Sequence, residues 1–268
     1  MPTLLVCLLN FNGEDSLRGS VQSVLNQTVK PTRFVVIDNA STDKSRNIAV
    51  EMGVPVVNAD NSHKFITGLN MAMYLAQDYD YLFFMQNDVE LEPDCLEAML
   101  RDCPDTCFFA QPVIYDTKWN IDNAGMDYHY PGFGERRNKK WWKGYNWERC
   151  GLVTTICFMT DSKFTEWDTR FSPAYYEDLD MYLRTKNIFT HALIPKARCV
   201  HKGNHTFSQS YKKRQISQIC RMNRQRLINK HYSGLDWLLR STVSSGLNVV
   251  KEAIDIVTHG WTLLNKRK

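Results

Sequence analysis

From residue 3 to residue 101, short apolar runs exchange regularly with stretches of helical spacing, and no other feature constrains this chain's fold as strongly. Thr3–Leu9 is continuously apolar apart from its first residue, the pattern of a strand buried on both faces of a parallel sheet. Glu14–Gln27 then sets Leu17, Val21, Val24 and Leu25 at the spacing of one helix face. Arg33–Asp38 is a second strand, and Ser41 or Thr42 is placed to cap a helix from Asp43 to Met52. Val54–Val57 reads as a third strand, Thr67–Gln77 as a third helix and Tyr81–Met85 as a fourth strand. Pro93 stands near the start of a helix that ends by Arg101. Such alternation predicts an α/β fold, a mostly parallel sheet with helices on both faces. Ligands of these sheets bind beyond the carboxyl ends of the strands, so position alone makes Asp38, Asn87 and Asp88 site candidates.

After another strand at Phe108–Val113 the alternation stops. Residues 117–150 are rich in Gly, Trp, Tyr and charge, and include RRNKKWWKGYNW at 136–147. A long loop in a compact domain is usually functional or mobile. Trp141 and Trp142 can stack on sugar rings or anchor the loop to the core, and the sequence favours neither. Leu152–Met159 reads as a strand and Glu177–Thr185 as a helix. The last part is helical, with a stripe through Leu239, Val243, Leu247, Val250, Ile254, Val257, Trp261 and Leu264. The division expected is a domain over 1–215, with halves 1–115 and 116–215, followed by a helical extension over 216–268. The stripe suits packing on the chain's own domain, contact with a membrane surface, or a seam in a homodimer.

Composition enters through charge and cysteine. Net charge is +4, yet residues 181–235 hold twelve Lys or Arg and no Asp or Glu. A basic block of that length suits an anionic partner such as a diphosphate or a lipid surface, or a solvated helix face. The eight cysteines form no CxxC pair, and several lie inside apolar runs, where cysteine acts as a small hydrophobe. That usage suits a reducing compartment. With no apolar stretch long enough to span a bilayer, the expected location is cytoplasmic, peripheral to a membrane if the stripe binds one.

Three acidic segments carry the chemistry. VVIDNASTD (35–43) ends a strand on Asp38, a carboxylate that can accept hydrogen bonds from a base or ribose, or simply help cap the next helix. QNDVELEPD (86–94) places Asp88 and Glu90 at a strand exit, where hard oxygen ligands suit Mg²⁺ or Mn²⁺ together with substrate phosphates. YYEDLDMYLR (175–184) gathers Glu177, Asp178 and Asp180 at a helix start; that favours the helix dipole and also offers a general base.

The ordered combination is more specific than its parts. The chain resembles the inverting GT-A glycosyltransferases of family 2, in particular the bacterial rhamnosyltransferase-like branch, over residues 3–230. LLNFNGEDSLRGSVQSVLNQT resembles the family's opening strand and helix, VVIDNASTD its nucleotide-binding segment and NSHKFITGLNMAM its donor segment. MQNDVELEPD resembles its metal motif, and EWDTRFSPAYYEDLDMYLR its base-containing motif. The resemblance implies the GT-A fold and a nucleotide-sugar donor that is UDP-, dTDP- or GDP-linked. It implies a glycan or lipid-linked acceptor and a Mn²⁺ or Mg²⁺ cofactor. Asp178 corresponds to the catalytic base, and Glu177 and Asp180 to its support. Asn10, Asp38, Asn39, Asn58, Lys64, Gly68, Asn70, Asn87 and Asp88 fall to the donor, with Asp38 on the nucleobase. Asp88 corresponds to the metal-binding aspartate, and His201 to the family's metal- or phosphate-contacting histidine. Glu90 stands where the family's motif often has a second Asp. Lys64, Phe65 and Ile66 stand where small residues are usual.

Two rival readings remain. A sugar nucleotidyltransferase would want a Gly-rich basic loop after the first strand, and NFNGEDSLRG offers little of one. An inactive GT-A binding module would have no need of Asp88, Asp178 and His201 together. A nucleic-acid binder would account for the basic block but not for the acidic clusters, so no nucleic acid is expected as a partner.

Overall fold

The computed structural model describes residues 2–60, 62, 64–104, 107–127, 136–137, 154–161, 166–203 and 211–234. Its centre is a nine-stranded sheet in the order β3-β2-β1-β4-β10-β6-β11-β5, with β7 added on β6. The strands are β1 (Leu4–Asn10), β2 (Arg33–Asp38), β3 (Val56–Asn58), β4 (Tyr81–Gln86), β5 (Val89–Leu91), β6 (Cys107–Tyr115), β7 (Ile121–Asn123), β10 (Cys157–Asp161) and β11 (Thr190–His201). A separate two-stranded ribbon joins β8 (Met126–Asp127) to β9 (Arg136–Arg137). The helices are α1 (Leu17–Leu25), α2 (Ser45–Glu51), α3 (Phe65–Leu75), α4 (Cys95–Asp102), α5 (Glu177–Thr185) and α6 (Lys213–His231).

β3, β2, β1 and β4 are parallel, as the early alternation predicts. β10 then runs antiparallel between β4 and β6, and β5 runs antiparallel on β11. The sheet has helices on both faces because its strands alternate. Leu5, Cys7 and Leu9 of β1 join Val35, Ile37, Leu82 and Phe84 in a core with Ile66, Leu69 and Met73 of α3, Leu179 of α5 and Leu227 of α6. Leu4, Val6 and Leu8 face the other way, toward Leu17, Val21 and Val24 of α1, Ala49 of α2, and Leu96 and Met99 of α4. A period of two in fully apolar strands therefore serves two cores at once.

Several boundaries differ from expectation. α2 begins at Ser45, and its first free N–H is met by the Asp43 carboxylate at 3.0 Å, not by Ser41 or Thr42. Ser41 is engaged elsewhere, its hydroxyl accepting from Asn12 N and Asn10 Nδ2. The strand expected at Leu152–Met159 is Cys157–Asp161, and the stretch expected as loop after residue 117 contains β7. α6 starts at Lys213 and so crosses the expected boundary at residue 215. Trp141, Trp142 and the stripe from Leu239 to Leu264 lie outside the described residues. Among the described residues no helix is long and apolar enough to cross a membrane.

Candidate active site

Strand order reverses between β1 and β4, since β2 and β3 lie to one side of β1 and β4 to the other. The crevice at such a switch point is where open α/β sheets bind ligands. Asn10 ends β1 there, in register with Asp38 at the end of β2, which is in register with Asn58 at the end of β3. Asn10 is fully buried. Its Nδ2 donates to Asp38 Oδ1 at 2.9 Å and to Ser45 Oγ at 2.8 Å, and its Oδ1 accepts from Asn87 Nδ2 at 3.0 Å. Asp38 Oδ2 accepts from Ser41 N at 3.2 Å. Gly13 lies against this network so closely that a β-carbon would sit 2.1 Å from Asn87 Nδ2 and 2.6 Å from Asn10 Oδ1. Glycine is the residue that allows the backbone to pass there.

The other donor candidates divide. Asn39 donates from Nδ2 to Lys64 O at 2.9 Å, and its buried Oδ1 has no partner among the described residues. Lys64 is exposed at the head of α3 with φ 56°, a conformation that β-carbons disfavour. Asn58 is exposed at the end of β3. Gly68 and Asn70 make close packing contacts at α3. A β-carbon on Gly68 would stand 2.2 Å from Leu9 Cδ1, so the glycine brings α3 onto β1. Asn70 uses both ends of its amide on Trp167, accepting from its N at 2.8 Å and donating to its O at 3.0 Å.

Asp88 lies in the turn between β4 and β5, and β5 crosses to the far edge of the sheet to pair with β11. That crossing sets the end of β11 beside the turn. Lys202 N donates to Asp88 O at 2.8 Å, and His201 Nε2 lies 3.3 Å from Asp88 Oδ2. The other ring nitrogen, Nδ1, lies 3.1 Å from Asp122 Oδ2 on β7. Burial alone would lower the His201 imidazole, but hydrogen bonds to Asp122 and Asp88 outweigh it and raise the pKa to about 9. A protonated ring thus puts a positive charge between two carboxylates. Glu90 is directed elsewhere, to an ion pair with Lys202 Nζ at 2.5 Å, close over Gly19 of α1.

The fit of this site to a divalent cation can be tested on its donors. Asp88 and His201 bring a carboxylate oxygen and an imidazole nitrogen within 3.3 Å of each other, donor types that Mn²⁺ and Mg²⁺ sites can use. Among the described residues no group of three or more His, Cys, Asp or Glu forms a metal cage. Two protein donors with substrate phosphates completing the shell is the arrangement Mg²⁺ ordinarily takes. The residues present therefore fit the ion.

The carboxylates of α5 have separate tasks. Glu177 is buried, and its Oε1 accepts from Thr155 Oγ1 at 3.0 Å. Thr155 O in turn accepts from Gln86 Nε2 at 3.3 Å, next to Asn87 and Asp88. Asp180 is buried on the face toward α6, paired with Arg184 at 3.0 Å, Lys230 at 2.7 Å and His231 at 2.7 Å. Burial would raise its carboxyl, but His231, Lys230 and Arg184 hold it below its ordinary value. Asp178 is half-buried, and its Oδ1 accepts from Leu179 N at 2.7 Å. The turn entering α5 holds Tyr175 at φ 75° and Tyr176 at φ 72°. Two such residues in succession cost on the order of 1–3 kcal/mol each and persist only where surrounding contacts impose them. Those contacts come from α6: Asn223 Nδ2 donates to the carbonyls of Phe171, Ala174 and Tyr175 at 2.7, 2.9 and 3.1 Å. Asp122, Thr155 and Asn223 were not visible as site residues in the sequence, because no periodicity or motif marks them.

The family described as Glycosyl transferase family 2 matches residues 5–160 of the chain. The 4,4'-diaponeurosporenoate glycosyltransferase of Staphylococcus haemolyticus is 35% identical over 96 residues, covering 34% of this chain and 25% of the relative. The match therefore spans about a quarter of that relative's length. Among solved structures, the mannosyltransferase PcManGT from Pyrobaculum calidifontis in complex with GDP-Man and Mn²⁺ superposes with a TM-score of 0.61 at 12% identity, over 90% of this chain and 69% of that one. GalNAc-T7 with UDP, GalNAc and Mn²⁺ gives 0.60 at 14% identity, over 97% and 58%. These likenesses show the fold, which is GT-A.

Proposed function

Because the chain belongs to glycosyl transferase family 2, we propose that its site moves a sugar from a nucleotide-diphosphate-sugar donor to a hydroxyl of a glycan or lipid-linked acceptor, with inversion. One observation carries this reading. The Asn10–Asp38–Asn87 network, the Asp88–His201 pair and the acidic head of α5 meet at one end of the sheet, linked through Gln86 and Thr155. A sugar nucleotidyltransferase would not need the base-bearing helix, and a mere binding module would not need the paired Asp88 and His201.

In this reading Asp38, held by Asn10 and the Ser41 amide, meets the nucleobase, with Asn39 and Asn58 beside it. Lys64 reaches the diphosphate from the head of α3 as a cation. Asp88 and His201 would hold Mn²⁺ or Mg²⁺. When bound, such an ion would supply positive charge against the charge that grows on the leaving group. Asp178 takes the proton of the acceptor hydroxyl. The hydroxyl oxygen bonds to the anomeric carbon as the carbon–oxygen bond to the diphosphate breaks, and that electron pair leaves with the nucleoside diphosphate. Attack opposite the leaving group inverts the centre without a covalent enzyme intermediate. Glu177 braces the base through Thr155, and Asp180 does so by fixing α5 to α6. Solved neighbours crystallised with UDP or GDP-Man and with Mn²⁺ support the donor class and the ion.

The test is a panel of UDP-, dTDP- and GDP-linked sugars with Mn²⁺, read by thermal stabilisation and by release of nucleoside diphosphate. A bound donor raises apparent stability by mass action, so the true donor stands out. Full turnover in excess chelator, or in Asp88→Ala, would refute the assignment of the ion site.

A further inference from the structure

We propose that Asp122 is a positioning residue for the cation site, fixing the tautomer and orientation of His201 so that Nε2 shares one divalent ion with Asp88. The proposal rests on the reading above that Asp88 and His201 hold the ion. A carboxylate only accepts hydrogen bonds, so the ring nitrogen bonded to Asp122 Oδ2 at 3.1 Å carries the proton. With an ion in place of the second proton, the Nδ1–H form held by Asp122 would leave the lone pair on Nε2, the atom facing Asp88 Oδ2 at 3.3 Å. The opposite tautomer would aim an N–H at the ion, and a flipped ring would aim carbon at both carboxylates. Metal-ligating histidines commonly have their other nitrogen tied to a carboxylate for this reason.

The brace is itself braced. Asp122 belongs to β7, which pairs with β6, and its neighbour Asn123 accepts from Gln111 Nε2 at 2.9 Å and from Gly125 N at 2.9 Å. Gln111 Oε1 accepts from Thr154 N at 2.8 Å, which ties the same network to the entry of β10. The side chains of His201, Asp122 and Asp88 are 19%, 19% and 7% exposed, so little water competes for these contacts. A mere tie between β7 and β11 would leave metal affinity untouched when removed; a positioning residue would not.

The experiment measures Mn²⁺ affinity of the full chain by electron paramagnetic resonance, with and without UDP, dTDP or GDP. Asp122→Ala should bind Mn²⁺ about 10–100-fold more weakly than wild type. Asp122→Asn, whose amide oxygen still accepts from Nδ1–H, should recover most of the loss. If His201→Ala weakens Mn²⁺ binding while Asp122→Ala leaves it within about twofold, well under the expected range, the inference is overturned and the ion site stands. If wild type binds no Mn²⁺, or His201→Ala and Asp88→Ala bind it as wild type does, the ion site falls and this inference with it. Should Asp122→Ala not fold, ¹⁵N spectra of wild type with Mg²⁺ and nucleotide decide the point. They should show the Nδ1–H form of His201, and the Nε2–H form would overturn it.

Discussion

Asn223→Ala should destabilise the protein by about 2–4 kcal/mol. Asn223 is 1% exposed, and its single amide nitrogen serves the carbonyls of Phe171, Ala174 and Tyr175 at 2.7–3.1 Å. Its Oδ1 accepts from Arg226 Nη1 at 2.8 Å. A net hydrogen bond contributes roughly 0.5–1.5 kcal/mol, and a buried acceptor left without a donor costs roughly 1–3 kcal/mol more. Nδ2 has two hydrogens for three acceptors, so two full bonds and not three enter the sum. The same loss releases the turn that holds Tyr175 and Tyr176 at positive φ, and relief of that strain returns part of the cost. Asn223→Asp keeps the volume but sets an acceptor against three carbonyls, and should be at least as harmful as Ala despite the contact to Arg226. Urea unfolding with linear extrapolation measures the difference, and Gln225→Ala on the same helix is the control. A loss below about 0.5 kcal/mol, the scale of an ordinary surface substitution, would refute the view that α6 imposes the turn's geometry.

Asp178→Asn should cut turnover by roughly 10²–10⁴-fold with nucleotide affinity kept, measured by diphosphate release and by calorimetry; a near-normal rate would move the base to another residue. Burial pushes the His191 imidazole down to about 4, against about 6.5 when unfolded. Its neutral form thus adds stability in full above about pH 6.5, and this is lost as pH falls toward 4, a swing on the order of 3 kcal/mol. The stability gap between wild type and His191→Gln should therefore close across that window, and a gap independent of pH would contradict the assignment. Gly13→Ala would put a β-carbon 2.1 Å from Asn87 Nδ2, so it should weaken UDP, dTDP or GDP binding, with an overpacking cost of roughly 1–3 kcal/mol; unchanged nucleotide affinity would count against the Asn10–Asn87 network. Lys212, Lys213, Arg214 and Arg221 are exposed on or beside α6, which contains no carboxylate, so the full chain should sediment with anionic vesicles at low salt, gaining about 1 kcal/mol per nearby cation. Failure to sediment would remove the membrane-surface expectation.

The sequence by itself determined the order of strands and helices through residue 102, except for the short β5 at Val89–Leu91, and the two-faced burial of the early strands. These are local properties: an apolar run or a 3.6-residue period acts within one segment, whatever lies across the fold. β2 at Arg33–Asp38 and α5 at Glu177–Thr185 match expectation to the residue for that reason. Caps were less legible. Ser41 looked like a helix cap, but tertiary contacts with Asn10 and Asn12 engaged its hydroxyl; Lys44 holds the N-cap position, and the Asp43 carboxylate accepts from Ser45 N. Only the tertiary structure could divide the acidic cluster of α5, sending Asp180 to a partner 51 residues away on α6 while Glu177 turned to Thr155. It alone brought Asp122 to His201 across 79 residues, because β5 crosses to the far edge of the sheet and β7 closes on β6. Such contacts depend on which strands become neighbours. That choice is made by the packing of the whole sheet, not by the residues flanking either partner.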